Sequence, residues 1–451
     1  MTNVDVKQAE PPAGALYRAF WRWHFYAGLL IMPILMLMAL TGGLYLFKDE
    51  IEGALYRPLL TVEARAETAS PDAWADAALT AVPGRVVQLT LPETPTRSAR
   101  LVVETTEGAR RAVYVDPHDA HVLGSAPDGG PMQTIKQLHS LDLAGPVANM
   151  LVEVVAGWAI VMVATGVVLW WPRGRKGGVV SIRGAPRQRV FWRDLHAVVG
   201  LFAVGVIVFL AATGMPWSAV WGKQVRSLTT EAGWGRPAAP ASASAWNHGP
   251  SHKPAAPAVP WALQETEVHS AHGGHSLSIA DAVARADGAG LPRPYELTVG
   301  EAGKAWSAAY MPDRAEAMRT LYLDGGDGHV VADIGYDRFG PAAKAIEWGI
   351  AVHQGREYGQ GNRLVMLAGC IAIWLLGVSG LTMWWKRRPK GRLAAPPAPA
   401  DRRAYPALAA VILPLAVIYP LVGASIATVL AVDLLVRRLF SIHRKPLEVL
   451  P

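Results

Sequence analysis

Phe20-Trp21-Arg22-Trp23-His24 opens an apolar stretch that ends in Thr41-Gly42, and Phe191-Trp192-Arg193-Asp194-Leu195-His196 opens another that ends in Thr213-Gly214. In both, a glycine follows the histidine one helical turn on (Gly28, Gly200), and the Thr-Gly pair recurs at one shared offset. Two further stretches agree in the same way. His139 is followed by Gly145, Gly166 and Trp170-Trp171, and His353 is followed at the same offsets by Gly359, Gly380 and Trp384-Trp385. Matching offsets at four places read as a tandem duplication of one unit: helix, loop, His-bearing segment, helix.

The surroundings of these histidines are those of a membrane protein. Of 451 residues, 51% are hydrophobic and only 18% charged, where soluble domains usually carry about 25% charge. Uncharged runs cover Phe25 to Phe47, Val154 to Trp171, Ala197 to Gly222 and Leu364 to Trp385. Each approaches or exceeds the length that crosses a hydrocarbon core of roughly 30 Å as a helix. The first is too long and too aromatic for a cleaved signal peptide, so it reads as a retained span. A single cysteine, Cys370, excludes a disulfide framework, a cysteine zinc site, an iron–sulfur cluster and a CxxCH haem attachment within one chain.

Arginine and lysine set the expected orientation. Arg173, Arg175, Lys176, Arg183, Arg187, Arg189 and Arg193 fill one short connection, and Lys386, Arg387, Arg388, Lys390 and Arg392 follow the fourth run. The long connections are acidic: residues 48–148 hold 9 basic and 14 acidic side chains, and residues 218–362 hold 12 and 15. The basic loops therefore read as cytoplasmic and the acidic ones as external. The net charge of +7 belongs to topology, and nucleic acid is excluded as a partner.

The expected fold class is a polytopic α-helical membrane protein, with duplicated pairs of transmembrane helices each enclosing an external α+β module. The order is a transmembrane helix over 16–48, a module over 49–132, a His-bearing segment and helix over 133–172, a basic loop over 173–190 and a helix over 191–222. It continues with a Pro/Ala/His-rich linker over 223–277, a second module over 278–340, a His-bearing segment and helix over 341–386 and a basic loop over 387–403. A C-terminal helix or helical hairpin, turning near Pro420 to Gly423, occupies 404–436, where Pro406, Pro414 and Pro420 interrupt an apolar run.

This topology sorts the histidines into two pairs. His24 and His196 open outward-running helices at the cytoplasmic edge, while His139 and His353 precede inward-running helices at the external edge. Neutral imidazole is a strong axial ligand for haem iron, and two axial histidines make a six-coordinate electron-transfer centre. A residue four positions after a helical ligand shares its face, so Gly28 and Gly200 leave room for a flat macrocycle or else serve close helix packing. Phe25, Tyr26 and Trp192 are expected to cover it. Arg22 and Arg193, one turn from their histidines, read either as propionate partners or as cytoplasmic anchors. Trp170-Trp171 and Trp384-Trp385 read as interfacial anchors. An interfacial role for the histidines themselves would not explain their matching offsets.

In the first long loop a helix is expected over 72–81, with strands near 86–91, 100–104 and 112–115, the turn Asp116-Pro117-His118-Asp119, and His121 to Gly124. The second repeats the order: helix 278–286, strands near 295–299, 306–310 and 319–323, the turn Asp324 to Gly328, and His329 to Asp333. A helix followed by a meander with an acidic turn is a small α+β module. The segments Tyr114-Val115-Asp116-Pro117 and Leu321-Tyr322-Leu323-Asp324 resemble the closing strand of PepSY domains. With the flanking Trp/His…ThrGly and His…TrpTrp helices, residues 16–390 resemble the PepSY-associated transmembrane family, which includes iron-regulated membrane proteins and inner-membrane siderophore reductases.

That resemblance implies two haem b groups on His24, His139, His196 and His353, and an oxidoreductase of the bacterial inner membrane. It implies electrons leaving the cytoplasm to reduce a ferric siderophore or other iron chelate on the periplasmic side. Some relatives carry a fused flavin reductase; this chain has none, so a separate cytoplasmic electron donor is expected. A non-redox scaffold or regulator binding a peptide, protease or metal chelate is the rival reading, and a transporter component is a third.

Between Trp246 and His275 lie His248, His252, His269, His272 and His275. The run His269-Ser-Ala-His272-Gly-Gly-His275 suits a transition metal, though its Gly pair and Pro-rich lead-in read as a solvated linker. Glu153 and Asp433 are acids within or beside apolar runs and so are functional candidates. Met32, Met36 and Met38 read as packing residues. No Ser-His-Asp set, HExxH motif or phosphate loop is present.

Overall fold

The computed structural model describes residues 12–172, 178–235, 237, 259–264, 268, 277–301, 304–388 and 404–442. The histidines 248, 252, 269, 272 and 275, and with them the expected metal-binding run, lie outside the described residues. Two compact units are present. One comprises Met1–Gly43, Leu138–Gln224 and Val365–Pro451; the other comprises Leu44–Gln137 and Val225–Leu364.

In chain order the helices are α1 (Pro12–Tyr45), α2 (Lys48–Leu55), α3 (Arg57–Leu60), α4 (Pro71–Ala81), α5 (Gly130–His139), α6 (Pro146–Trp170) and α7 (Arg189–Gly214). They continue with α8 (Trp221–Glu231), α9 (Ile279–Gly288), α10 (Pro341–His353), α11 (Gly359–Arg387), α12 (Ala404–Ile418) and α13 (Pro420–Ile442). Among the described residues four helical segments are long and apolar enough to cross a membrane: Gly14–Tyr45, Pro146–Trp170, Arg189–Trp217 and Gly359–Arg387. The protein is a multi-pass membrane protein.

The first span begins earlier than its apolar run suggests. Helix α1 starts at Pro12, and His24 lies three turns inside it rather than at its mouth. The third run, by contrast, is not all one helix: α7 ends at Gly214, Met215–Trp217 forms a 3₁₀ turn, and α8 restarts at Trp221. In the same unit, Trp23 stacks on Trp158 at 6.2 Å between centroids, joining α1 to α6. Gly377 of α11 lies against Met32 and Met36 of α1, where an added Cβ would fall 2.5 Å from the Met36 sulfur. Small residues that admit this close approach stand in for a hydrophobic driving force, which lipid removes. Helices α12 and α13 break at Tyr419, just ahead of Pro420, and pack Leu408, Ile412, Tyr419 and Val422 into one buried cluster with Val155 and Trp158 of α6.

In the second unit the strands of the two expected α+β modules lie side by side in one sheet. Strands β1 (Gly84–Thr90), β2 (Ala99–Thr105), β3 (Arg110–Val115), β4 (Val122–Pro127), β5 (Glu296–Thr298), β6 (Trp306–Tyr310), β7 (Arg319–Leu323) and β8 (Val330–Gly335) form a single antiparallel sheet ordered β4-β3-β2-β1-β5-β6-β7-β8. The seam is β1 against β5, with Gln88 opposite Thr298, Leu89 opposite Leu297 and Thr90 opposite Glu296. Alternation along the strands sends Leu89, Leu101, Val103, Val113, Leu297, Leu321 and Leu323 to one face, where they share one core with Trp74 of α4 and Ala282 and Ala286 of α9. Each fully buried apolar side chain there contributes about 1.5–3 kcal/mol. Ser70 and Ser278 cap α4 and α9, accepting from Ala73 N–H and Asp281 N–H.

Candidate functional site

Four expected ligand histidines are distributed over helix interiors and helix ends. His24 lies inside α1 and His196 in the second turn of α7. His139 is the last residue of α5 and His353 the last of α10. The glycines that follow them, Gly145 and Gly359, adopt φ of 90° and 61°. Both mark the break between a short His-bearing helix and the span that follows, at backbone angles that favour glycine.

Within the first unit, the structure brings His24 and His196 together. Their ring centroids lie 6.3 Å apart, with the planes crossed at 85°. Two imidazoles gripping one metal ion from opposite sides, with bonds of about 2.0–2.1 Å, place their centroids about 6 Å apart. The 6.3 Å between these rings matches that separation.

Each ring is held from behind by a small hydroxyl. His24 Nδ1 is 3.0 Å from Thr165 Oγ1 on α6, and His196 Nδ1 is 3.0 Å from Ser379 Oγ on α11. His139 Nδ1 lies 3.1 Å from Thr41 Oγ1 and 3.0 Å from the Met38 carbonyl on α1. Next to each hydroxyl is a glycine at the edge of the ring. A Cβ at Gly166, Gly380 or Gly42 would sit 3.3, 3.6 or 3.2 Å from Cε1 of His24, His196 or His139 respectively. Burial lowers the His139 pKa below its ordinary value, which favours the neutral ring.

The glycines singled out by sequence lie at helix–helix contacts. Gly28 lies against Met162 of α6 (Cβ to Cε 3.2 Å), and Gly200 lies against Leu376 of α11 (3.6 Å). They bring α1 onto α6 and α7 onto α11, while Gly166, Gly380 and Gly42 give the imidazoles their room. The arginines are likewise engaged. Arg193 and Arg183 both bind the fully buried Asp194, through Nε at 2.9 and 2.8 Å. Arg22 stands 5.1 Å over the Tyr26 ring. Phe25 meets Trp384 at 6.4 Å, and Trp192 donates to the Pro186 carbonyl. Glu153 is fully buried, and its Oε2 accepts from Val220 and Trp221 N–H, so it caps the start of α8.

Thr165 and Ser379 are the residues that sequence reading missed. Thr165 follows His139 at the same offset as Ser379 follows His353, and each stands immediately before the repeated glycine. A hydroxyl at one shared offset from His139 and from His353 was the available signal.

In the sheet unit, Glu347 of α10 is 2% exposed, and its Oε1 accepts from Ala262 N–H. Burial raises its pKa from 4.5 to about 7, against the opposing pull of the Ala262 N–H and Arg226. His353 itself is half-buried at the end of this helix. Asp324, Asp327 and His329 bring one ligand atom each within 4.8 Å. The turn's own bonds engage them: Asp324 Oδ1 accepts from Gly326 N–H, and His329 Nδ1 lies 2.6 Å from Asp327 Oδ1.

The family pattern of the PepSY-associated TM region matches residues 21–387, from the Trp ahead of His24 to the basic end of α11. The chain belongs to that family. The match takes in the first membrane span from Trp21 onward, the other three spans and the sheet of this PepSY-associated TM protein. No curated protein matches the chain.

Proposed function

We propose that this chain is a di-haem transmembrane electron-transfer protein that reduces ferric chelates, of the ferric-siderophore class, for iron acquisition. The observation that carries the reading is the His24–His196 pair, 6.3 Å between centroids, with both Nδ1 edges turned to hydroxyls. Among the described residues, no protein group bonds Nε2 of either ring. His24 and His196 would hold one haem b, and His139, backed by Thr41, would serve a second. Bound there, the group would supply a one-electron iron couple.

The residues of the chain do the rest. Thr165, Ser379 and Thr41 orient the rings, Gly166, Gly380 and Gly42 keep space beside them, and apolar α1, α6, α7 and α11 exclude water. The tandem offsets and the mirrored strand order support an internal duplication. The basic connections support a cytoplasmic N-terminus in a bacterial inner membrane with the sheet unit periplasmic. Electrons would come from a separate cytoplasmic donor. Reduction of the chelated iron weakens its hold on hard oxygen ligands and releases it.

An optical spectrum of the purified protein, before and after dithionite, tests the proposal. A low-spin Soret band, an α-band that sharpens on reduction and two haems per chain are expected. Colourless protein from haem-replete cells overturns the reading and favours a non-redox scaffold.

A further inference from the structure

We infer that Thr165 and Ser379 are positioning residues that fix the tautomer of His24 and His196 and set the donor strength of the Nε2 each ring presents. The inference rests on the haem reading above and deepens it. Thr165 is 1% exposed and Ser379 is fully buried, both within apolar helices. Thr165 Oγ1 donates its one hydrogen to the Val161 carbonyl at 2.9 Å, and Ser379 Oγ donates to the Leu375 carbonyl at 2.6 Å. With its proton committed to its own helix, each hydroxyl meets the imidazole as an acceptor, so Nδ1 must carry the hydrogen.

That settles the rest of the ring. A neutral imidazole protonated at Nδ1 has its lone pair at Nε2. The same arrangement recurs at His139, where Thr41 Oγ1 donates to the Leu37 carbonyl at 2.8 Å and Nδ1 also has the Met38 carbonyl to donate to. Three histidines on three helices share one device: a hydroxyl one turn beyond the carbonyl that takes its hydrogen, with glycine following. An acceptor on Nδ1–H makes the ring a stronger donor, and outer partners of this kind change metal affinity or activity by about 10–100-fold. A stronger donor favours ferric over ferrous iron.

The experiment uses the full chain, purified with its haem, in Thr165→Val, Ser379→Ala and Thr165→Ser forms. Thr165→Val keeps the volume and removes the hydroxyl; Thr165→Ser keeps the hydroxyl. Potentiometric titration should show one of the two haems moved about tenfold toward the reduced state in Thr165→Val, about 59 mV for one electron. Ser379→Ala should move the same haem in the same direction, and Thr165→Ser should titrate as wild type. Loss of that haem from Thr165→Val but not from Thr165→Ser also supports the inference. It is overturned if Thr165→Val and Ser379→Ala titrate within twofold of wild type, or if Thr165→Ser fails alongside Thr165→Val. Wild-type protein without haem would overturn the underlying reading itself.

Discussion

The imidazoles of His24 and His196, on α1 and α7, face one another across 6.3 Å with planes 85° apart, and each is backed by a hydroxyl from a different helix. Four helices converge on the pair. Removing either ring should therefore abolish one site and leave the rest of the bundle intact.

His24→Ala and His196→Ala are each expected to lower haem content from two per chain to one, and His24→Ala,His196→Ala should go no lower. A pyridine haemochrome assay on protein of equal purity checks this. Retention of two haems in either single variant would refute the pairing.

Gly166→Ala sets two effects against each other. Alanine gains about 1 kcal/mol over glycine in a helix interior, while its Cβ meets His24 Cε1 at 3.3 Å and requires a shift of a few tenths of an ångström. Stability should change little, and haem retention should fall. Gly166→Val adds overpacking of about 1–3 kcal/mol and should lower the thermal midpoint as well. Unchanged haem retention in both would show that the close approach is not needed.

Glu347 makes the sheet unit sensitive to pH. Its carboxyl titrates near 7 when folded, against 4.5 for an ordinary glutamate, so the folded state binds the extra proton. Stability from this group is then full below pH 4.5 and declines as pH rises towards 7, by roughly 3 kcal/mol in total. Glu347→Gln, whose amide oxygen still accepts from Ala262 N–H, should flatten the profile over that window. Parallel profiles for wild type and variant would count against it.

Leu89 and Leu297 face each other across the β1–β5 seam with no exposed surface. Leu297→Ala should cost about 2–5 kcal/mol. Because the core on either side is shared, the sheet unit should still melt in one step at a lower temperature. Two separated transitions, one per half, would contradict a common core.

The spans were legible in the sequence because uncharged runs as long as Phe25 to Phe47 or Ala197 to Gly222 have no soluble equivalent. The module strands were legible from alternation and from the acidic turns at Asp116 and Asp324. The start of α1 was not, since Arg18 and Arg22 interrupt hydropathy without interrupting the helix. Nor was the joined sheet: β1 and β5 are separated by two spans, and a three-pair seam leaves no periodicity of its own. The partners of the histidines were hidden for a different reason. A Thr or Ser inside an apolar helix ordinarily bonds its own backbone, and only geometry reveals the second bond that Thr165 and Ser379 accept.

The commitment of each Nδ1 hydrogen has a consequence for energy conservation. A ring whose sole exchangeable hydrogen is tethered to a hydroxyl, itself tethered to a peptide carbonyl, is a poor stepping stone for hydrated protons. On the reading argued above, charge can then pass between the two faces of the bilayer while the ion gradient across it stays sealed.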